Sequence, residues 1–500
     1  MMLLPEMVQG QYNNNYWVFG DSAFIDWTNP GNPTIGSAAF HFRNGSSCIG
    51  DSSGLLLYAG LYDNNAATDC YIWNKYGNRI GDSIRVKGGV WYHASLFVPD
   101  PGSDSNIYLF TAGVTNDPYG LYYSKINYKA NNDSGLVIQK NVQLNNLPAF
   151  DALMAVRHGN GRDWWLITQR WYAPPAQTPT NEFRIYLIST TGISGPLVQN
   201  IGLLRVTGGG QIVFNSYGTQ FVQVSWMGLL ELYDFNRCSG AITSTIPIDQ
   251  EVVTPPILHV YTTCAFSKDD SKIYVIDLDL NQANDTYYLS QYNLLSPNIA
   301  QSKVIVDSMV APKAPWQMKL APDGKIYIAA FDENYNWPYP DTITAYTTTN
   351  NSLSVINHPD SLGAACDFQP FSFNLGTGRS YFGLPNNPDY ELGAWVGSPC
   401  DTLTTNLTPN PSPEARGAWM QAWYNHEWNM IHVNAAQLKG KKGMLRLFDM
   451  EGRIVFEKPA EVIAGGYYTT EINMENLASG VYVVNLVTEQ EKISGKVGKY

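Results

Sequence analysis

The sequence predicts an all-β chain: a seven-bladed β-propeller followed by a small Ig-like β-sandwich. Three observations carry that prediction. A turn-and-strand phrase recurs about every 50 residues, aromatic residues are abundant while charged ones are scarce, and the texture of the chain changes after Cys400. A β-propeller repeats one small sheet around an axis, so a recurring hairpin is its natural sequence signature.

The phrase is a turn rich in Gly, Asp or Ser followed by a strand of alternating aromatic and aliphatic residues. It occurs as GDSSGLLLYAG (50–60), PGSDSNIYLFTAG (101–113), GNGRDWWLITQ (159–169) and NSYGTQFVQVSW (215–226). It returns as SKDDSKIYVIDL (267–278), APDGKIYIAA (321–330) and LGTGRSYFGLP (375–385). Anchored on Gly54, Ser105, Asp163, Thr219, Ser271, Gly324 and Gly378, the spacings are 51, 58, 56, 52, 53 and 54. Further strands such as EFRIYLIST and TYYLSQYNL follow most copies. Each unit is too small to bury its own faces, so the units stack and the ring closes. NYWVFGDSAFIDW (15–27) is a strand pair with no phrase before it, and the seventh phrase has no outer strands after it. Residues near 15–30 are therefore expected to supply the outer strands of the blade begun by residues 368–385, removing an exposed edge. The propeller is expected over 12–400.

Composition agrees. The chain holds 32 Tyr and 14 Trp, 13% aromatic against 15% charged residues, a profile of extracellular β proteins. A net charge of −12 without a Lys/Arg stripe excludes nucleic acid as a partner. No apolar run approaches a membrane span. The start, MMLLPEMVQGQ, has no basic n-region and too short an apolar stretch for a signal peptide, so residues 1–11 are expected to be a disordered remnant of a truncated start.

The six cysteines, Cys48, Cys70, Cys238, Cys264, Cys366 and Cys400, show no C-x-x-C spacing, which argues against a zinc site. In an oxidising compartment they allow three disulfides in 15 pairings; the alternative is buried free thiols. Cys238–Cys264, closing 25 intervening residues for roughly 3 kcal/mol, is the expected bridge, with Cys48–Cys70 and Cys366–Cys400 completing the set.

Several motifs dissolve on inspection. GDSSG (50–54) fits a nucleophile elbow, but a strand follows where that chemistry needs a helix, leaving Ser52 as a turn residue. HEWNMIH separates His426 and His432 by six rather than the four of a helical zinc pair. DLDLNQANDT (277–286) lacks the Gly and bidentate Glu of a calcium loop. GGG (208–210) has no strand-to-helix context for phosphate. No cofactor or metal is expected.

The mouth of the propeller remains as the candidate site. The loops leading into the innermost strands offer His93, Asp151, Thr262, Trp316 and Gln369, with Gly209 and Asn44 in the remaining blades. Such a ring of polar and aromatic side chains suits a glycan, peptide or protein ligand; the competing reading is that these residues only cap strand ends.

TPNPSPEARG (408–417) is Pro-punctuated, giving a linker over 401–417. From Ser412 onward the chain carries 10 basic and 10 acidic residues, so the preceding part holds all of the net −12. NMIHVNA, GMLRLFDMEGRIVFEK, GYYTTEINM and GVYVVNLVTEQEKISGKVGK read as strands, with hairpins at MEGR and EQEK, giving a β-sandwich over 418–500.

TPNPS, LRLFDMEGRIV and INMENLASGVYVVNL followed by the basic end KISGKVGKY resemble, in that order, the type IX secretion C-terminal sorting domain of one phylum of Gram-negative bacteria. The aromatic insert GAWMQAWYNHEW (417–428) departs from the family's first strand. WVFGDSAFIDW, SSGLLLYAG, DPGSDSNIYLFT and ACDFQPFSFNLGTGRSYFGLPN look like the secreted propeller proteins that carry this tail. The resemblance implies export through the type IX machinery, its expected partner, to the outer surface or the medium. It bears on fold and destination rather than chemistry; the function expected from the chain as a whole is a secreted or surface-anchored binding protein, with a lactonase-like or glycan-active propeller hydrolase, or a structural or adhesive surface component, as the alternatives.

Overall fold

Alternating apolar residues between short polar turns make strands throughout, and nearly every strand pairs with its chain neighbour. In the computed structural model the described residues run from Tyr12 to Lys499, apart from 64–67, 82–84, 90, 115–118, 173–177, 207–208, 251–258, 281–283, 336–344, 396–397, 402–418, 426–428, 437, 450–451, 463–465 and 467. The expected N-terminal remnant and most of the expected linker lie outside them. Two compact units divide the chain, Met1–Leu392 and Gly393–Tyr500.

Among the described residues, the first unit holds five antiparallel sheets of four strands in chain order. Their innermost strands are Ser95–Pro99, Met154–Arg157, Gly210–Phe214, His259–Phe266 and Lys313–Leu320. A five-stranded sheet precedes them. Its long strand Thr34–Asp51 pairs with Tyr16–Asp26 through its first half and with Gly54–Asp63 through its second, with a register break between Phe42 and Ser46. One strand thus carries both pairings within that sheet.

The first six copies of the repeated phrase are the hairpins joining the first and second strands of their sheets. The seventh differs. Phe368–Asn374 is the outermost strand of the last four-stranded sheet, and the turn after it leads to a new inner segment. There Arg379 bridges Asp21 antiparallel and Pro385 bridges Ser46 in parallel.

Apolar faces fuse neighbouring sheets around the ring. Phe183 and Ile185 meet Phe221 and Tyr233, Val222 and Val224 meet Ile273 and Val275, and Ile276 and Leu289 meet Met318 and Ile328. Trp17, Phe19 and Trp27 from the start of the chain pack on Tyr327, Leu353 and Val355 of the last four-stranded sheet and on Leu375 and Leu384. The ring closes there. Asp21 and Arg379, each 0% exposed, form an ion pair at 2.6 Å (Nη2) and 2.7 Å (Nε), and their backbones exchange two hydrogen bonds of 2.9 Å. Gly20 lies so close that a Cβ there would sit 2.0 Å from the Arg379 carbonyl oxygen. No side chain fits at that crossing.

The second unit contains a three-stranded sheet (Trp419–Asn425, Met430–Ala436, Tyr468–Asn473) and a four-stranded one (Ile454–Glu461, Lys442–Phe448, Gly480–Thr488, Lys492–Lys499). Ile431, Val433, Leu445, Leu447, Ile472, Val484 and Leu486 fill its core. Both expected hairpins form. Gly452 N–H closes one on the Asp449 carbonyl at 3.0 Å, and Thr488 N–H closes the other on that of Glu491 at 2.8 Å. Among the described residues, no helix is long and apolar enough to cross a membrane.

The cysteines correct the expectation. Cys238 and Cys400 are disulfide-bonded, whereas Cys48, Cys70, Cys264 and Cys366 are free, buried thiols. Cys264 points from an innermost strand into the apolar layer of Val222, Val224 and Phe266, while Cys238 sits in the turn between Leu229–Phe235 and Ile242–Gln250, the third and fourth strands of the preceding sheet. The two cannot meet. Cys48 Sγ is instead engaged by the Tyr16 carbonyl at 2.8 Å and by Asn387 Nδ2 at 3.3 Å, which rules out Cys48–Cys70. Cys366 lies in the core beside Ile356 and Met318, which rules out Cys366–Cys400.

Candidate functional site: an aromatic mouth over a polar axis

Innermost strands begin, and second strands end, on the same face of the ring, so both contribute side chains to one mouth. Trp91 and Tyr92 come from the loop before Ser95–Pro99, and Trp226 follows the second strand Gln220–Ser225. Trp316 lies on Lys313–Leu320, Phe331 near the end of Ile326–Asp332, and Phe382 on the closing segment. All six are half-buried. Tyr92 lies 5.6 Å from Trp226, 5.8 Å from Trp316 and 5.3 Å from Phe382 between ring centres. Trp316 is 5.9 Å from Trp226, 5.7 Å from Phe331 and 5.4 Å from Phe382, all edge-on. These are the separations at which aromatic quadrupoles favour tilted and edge contacts. Trp226 lies flat over Gly209, where a Cβ would meet its ring at 2.3 Å.

A β-bulge presents Trp316. Pro315 pairs with Ala330 and Gln317 with Ala329, so Trp316 is the extra residue, turned out of the ladder. Thr262 is the matching bulge one sheet earlier, between Tyr261↔Asp277 and Thr263↔Ile276.

Beneath the aromatics runs a buried polar network. His93 Nδ1–H donates to the Gly210 carbonyl at 3.0 Å, which leaves Nε2 to accept from Gln317 Nε2. Gln317 Oε1 accepts from Leu384 N–H. Thr263 Oγ1 accepts from Met318 N–H at 2.9 Å and donates to Gln211 Oε1 at 2.8 Å. Asn386 Nδ2 reaches the carbonyls of His93, Ser95 and Leu153 at 3.3, 3.1 and 3.0 Å. Burial holds the His93 imidazole neutral, its pKa pushed down to about 3.

Of the residues expected at the mouth, His93 and Asp151 are brought together: the His93 backbone N–H donates to Asp151 Oδ1 at 2.8 Å, and that of Tyr92 also reaches the carboxyl. Asp151 is 0% exposed, and burial raises its pKa well above the ordinary carboxylate range. Asp151 Oδ2 and Thr262 Oγ1 are buried without a hydrogen-bond partner among the described residues. Trp316 joins the aromatic cluster. Gln369 stands apart, exposed on the outermost strand Phe368–Asn374 and bonded to Asp367 Oδ1 at 2.7 Å. Sequence reasoning missed Trp91, Tyr92, Trp226, Phe331 and Phe382. Trp226 and Phe331 had a usable signal, because each ends the second strand of a repeat.

The closed ring of antiparallel sheets defines the first unit as a β-propeller, joined to a C-terminal all-β domain. Residues 428–499 match the secretion system C-terminal sorting domain, so the chain is a propeller carrying a type IX sorting tail and addressed to the cell surface or the extracellular space. No curated protein is significantly similar in sequence. Among solved structures, a protein from Lactobacillus plantarum is similar at 10% identity and TM-score 0.45, covering 74% of this chain and 97% of its own. The β-propeller domain of Myceliophteria thermophila Cps50 (Swd1) aligns at 10% identity and TM-score 0.34, covering 63% and 92%. An oligogalacturonate lyase from Vibrio parahaemolyticus aligns at 12% identity and TM-score 0.34, covering 72% and 86%.

Proposed function

We propose that this is a secreted or surface-held binding protein: a seven-bladed propeller, its last blade shared between the two ends of the first unit, that takes a ligand at its aromatic mouth. The carrying observation is the convergence of six half-buried aromatic side chains from four parts of the ring at one end of the axis. Proteins ordinarily finish burying such rings; a cluster left half-open offers flat faces to a pyranose ring or an apolar peptide side chain. The partnerless oxygens of Asp151 and Thr262 add polar groups for orientation.

Trp316→Ala and Trp226→Ala test the reading on glycan and peptide arrays. Each variant is expected to lose retention at least about tenfold, the equivalent of about 1.4 kcal/mol, while its melting temperature falls by only a few degrees. Retention unchanged in both variants, or a collapse of stability in both, returns these side chains to a packing role.

A further inference from the structure

We infer that the aromatic mouth selects a ligand carrying a methylated ammonium group, with the Asp151 carboxylate beneath the rings as its counter-charge. The inference rests on the mouth being a binding site and narrows what it binds.

Three connections place Asp151 under the cluster. It stands in the loop before the innermost strand Met154–Arg157 and bridges Gly209 in parallel, the residue over which the Trp226 ring lies flat. From the other side, the backbone N–H groups of Tyr92 and His93 both donate to its carboxyl, the latter to Oδ1 at 2.8 Å. The Tyr92 and Trp226 rings are themselves 5.6 Å apart. The carboxyl therefore lies below this pair of rings, 0% exposed, and its Oδ2 meets no hydrogen-bond donor among the described residues. Its charge is felt at the mouth: burial first, then Asp151, raises the Tyr92 phenol above its ordinary range.

The rings offer the complement. Elsewhere in this unit aromatic faces are covered by the protein's own cations. Arg79 lies 4.0 Å from the Tyr71 ring centre, Arg170 4.1 Å from that of Tyr172, and Arg157 4.3 Å from that of Trp164. Among the described residues no lysine or arginine covers Tyr92, Trp226, Trp316 or Phe331. Indole faces are the strongest aromatic partners of a cation and need no N–H from it. A primary ammonium would bring three protons to a site with one open carboxylate oxygen, whereas methyl groups replace those protons with surface that packs on rings. A sugar hydroxyl must touch Oδ2 to use it, and Oδ2 is fully enclosed; a positive charge acts on it across the ring layer. The propeller part carries the whole net charge of −12, which draws cations in.

In the free protein burial holds the Asp151 pKa well above the ordinary carboxylate range, and the facing Tyr92 and His93 side chains are kept neutral. A cation over the rings favours the ionised carboxylate, so the carboxyl proton leaves to solvent on binding and affinity rises with pH.

The test titrates the full-length protein with choline and with its uncharged analogue, in which carbon replaces the nitrogen, following tryptophan fluorescence. Choline is expected to saturate and to bind at least about tenfold tighter than the analogue. This comparison needs no variant. Asp151→Asn keeps the acceptor for Tyr92 and His93, and should bring the two affinities within about twofold and abolish the rise in choline affinity between about pH 5 and 8. Ranking choline against free trimethyl-lysine then tells a headgroup from a side chain as the carrier of the group. No saturation by choline, equal affinity for its analogue in the parent, or a choline affinity independent of pH overturns the inference. The mouth survives that result as a binding site when Trp316→Ala and Trp226→Ala still lose retention on the arrays, and falls with it when they do not.

Discussion

His93 shows how the residues on the axis are committed to structure. Its Nδ1–H serves the Gly210 carbonyl, its Nε2 serves Gln317, and its own N–H serves Asp151. An added proton at Nε2 would turn that acceptor into a donor facing the donor of Gln317. Burial, helped by the Lys319 charge and opposed by the bond to Gly210, puts the folded pKa near 3, far below the ordinary 6.5. The unfolded chain therefore binds more protons between those limits, and the contribution of His93 to stability is complete above pH 6.5 and lost as pH falls toward 3. Asp151, with its pKa raised by burial, runs the other way: its contribution is present below the ordinary carboxylate value and lost as pH rises through the folded one. Replacing His93 with Gln keeps a donor and an acceptor but cannot titrate. Melting temperature measured between pH 4 and 6.5 should then fall less steeply with acid in His93→Gln than in the parent. Identical slopes would show that His93 is not the group responsible.

At the scale of the element, two devices make the ring: bulges that turn side chains toward the mouth, and a latch that joins the chain ends. The latch is the Asp21–Arg379 pair, buried completely and set on a two-bond backbone bridge. Asp21→Ala takes a fully buried carboxylate away from the buried Arg379 guanidinium and is expected to cost about 3–5 kcal/mol in denaturant unfolding, whereas Asp21→Leu combined with Arg379→Met should recover most of it. A single-variant loss below about 1 kcal/mol would mean that closure rests on Trp17 and Trp27 alone. The same elements explain what the sequence makes legible. Hairpin turns demand Gly, Asp or Ser, so the first six repeats could be found, whereas the strand pair at 15–27 pairs with Thr34–Asp51 and bridges Arg379 rather than lying beside Phe368–Asn374. The seventh phrase misled because Phe368–Asn374 alternates as an inner strand would; only pairing with Ser352–Ile356 reveals it as an outermost strand, and Gln369 went with it. The bulges at Thr262 and Trp316 and the free thiols of Cys48 and Cys264 depend on register and on facing neighbours, which a single strand's residues do not encode.

For the whole molecule, the division of labour between the two units is the feature most open to experiment. The propeller part carries the entire net charge of −12, while the chain from Ser412 onward is neutral and densely charged with both signs. The second unit also has its own core around Ile431, Leu445, Ile472 and Val484. Lys499 on its final strand donates to the carbonyls of Met474 and Leu477 at 2.7 and 2.8 Å, fastening the basic end of the chain to the turn that precedes Gly480–Thr488. A self-contained domain that matches a sorting family over residues 428–499 acts as an address rather than as part of a binding mouth. Removing residues 409–500 keeps Cys400 and every described strand of the propeller. Expressed behind a functional signal peptide in a host with the type IX machinery, that truncated protein should fold, as judged by its thermal transition and protease resistance, and should accumulate in the periplasm. The parent should reach the surface or the medium. Fractionation followed by immunoblotting distinguishes the two, and normal release of the truncated chain would show that the address lies elsewhere in the protein.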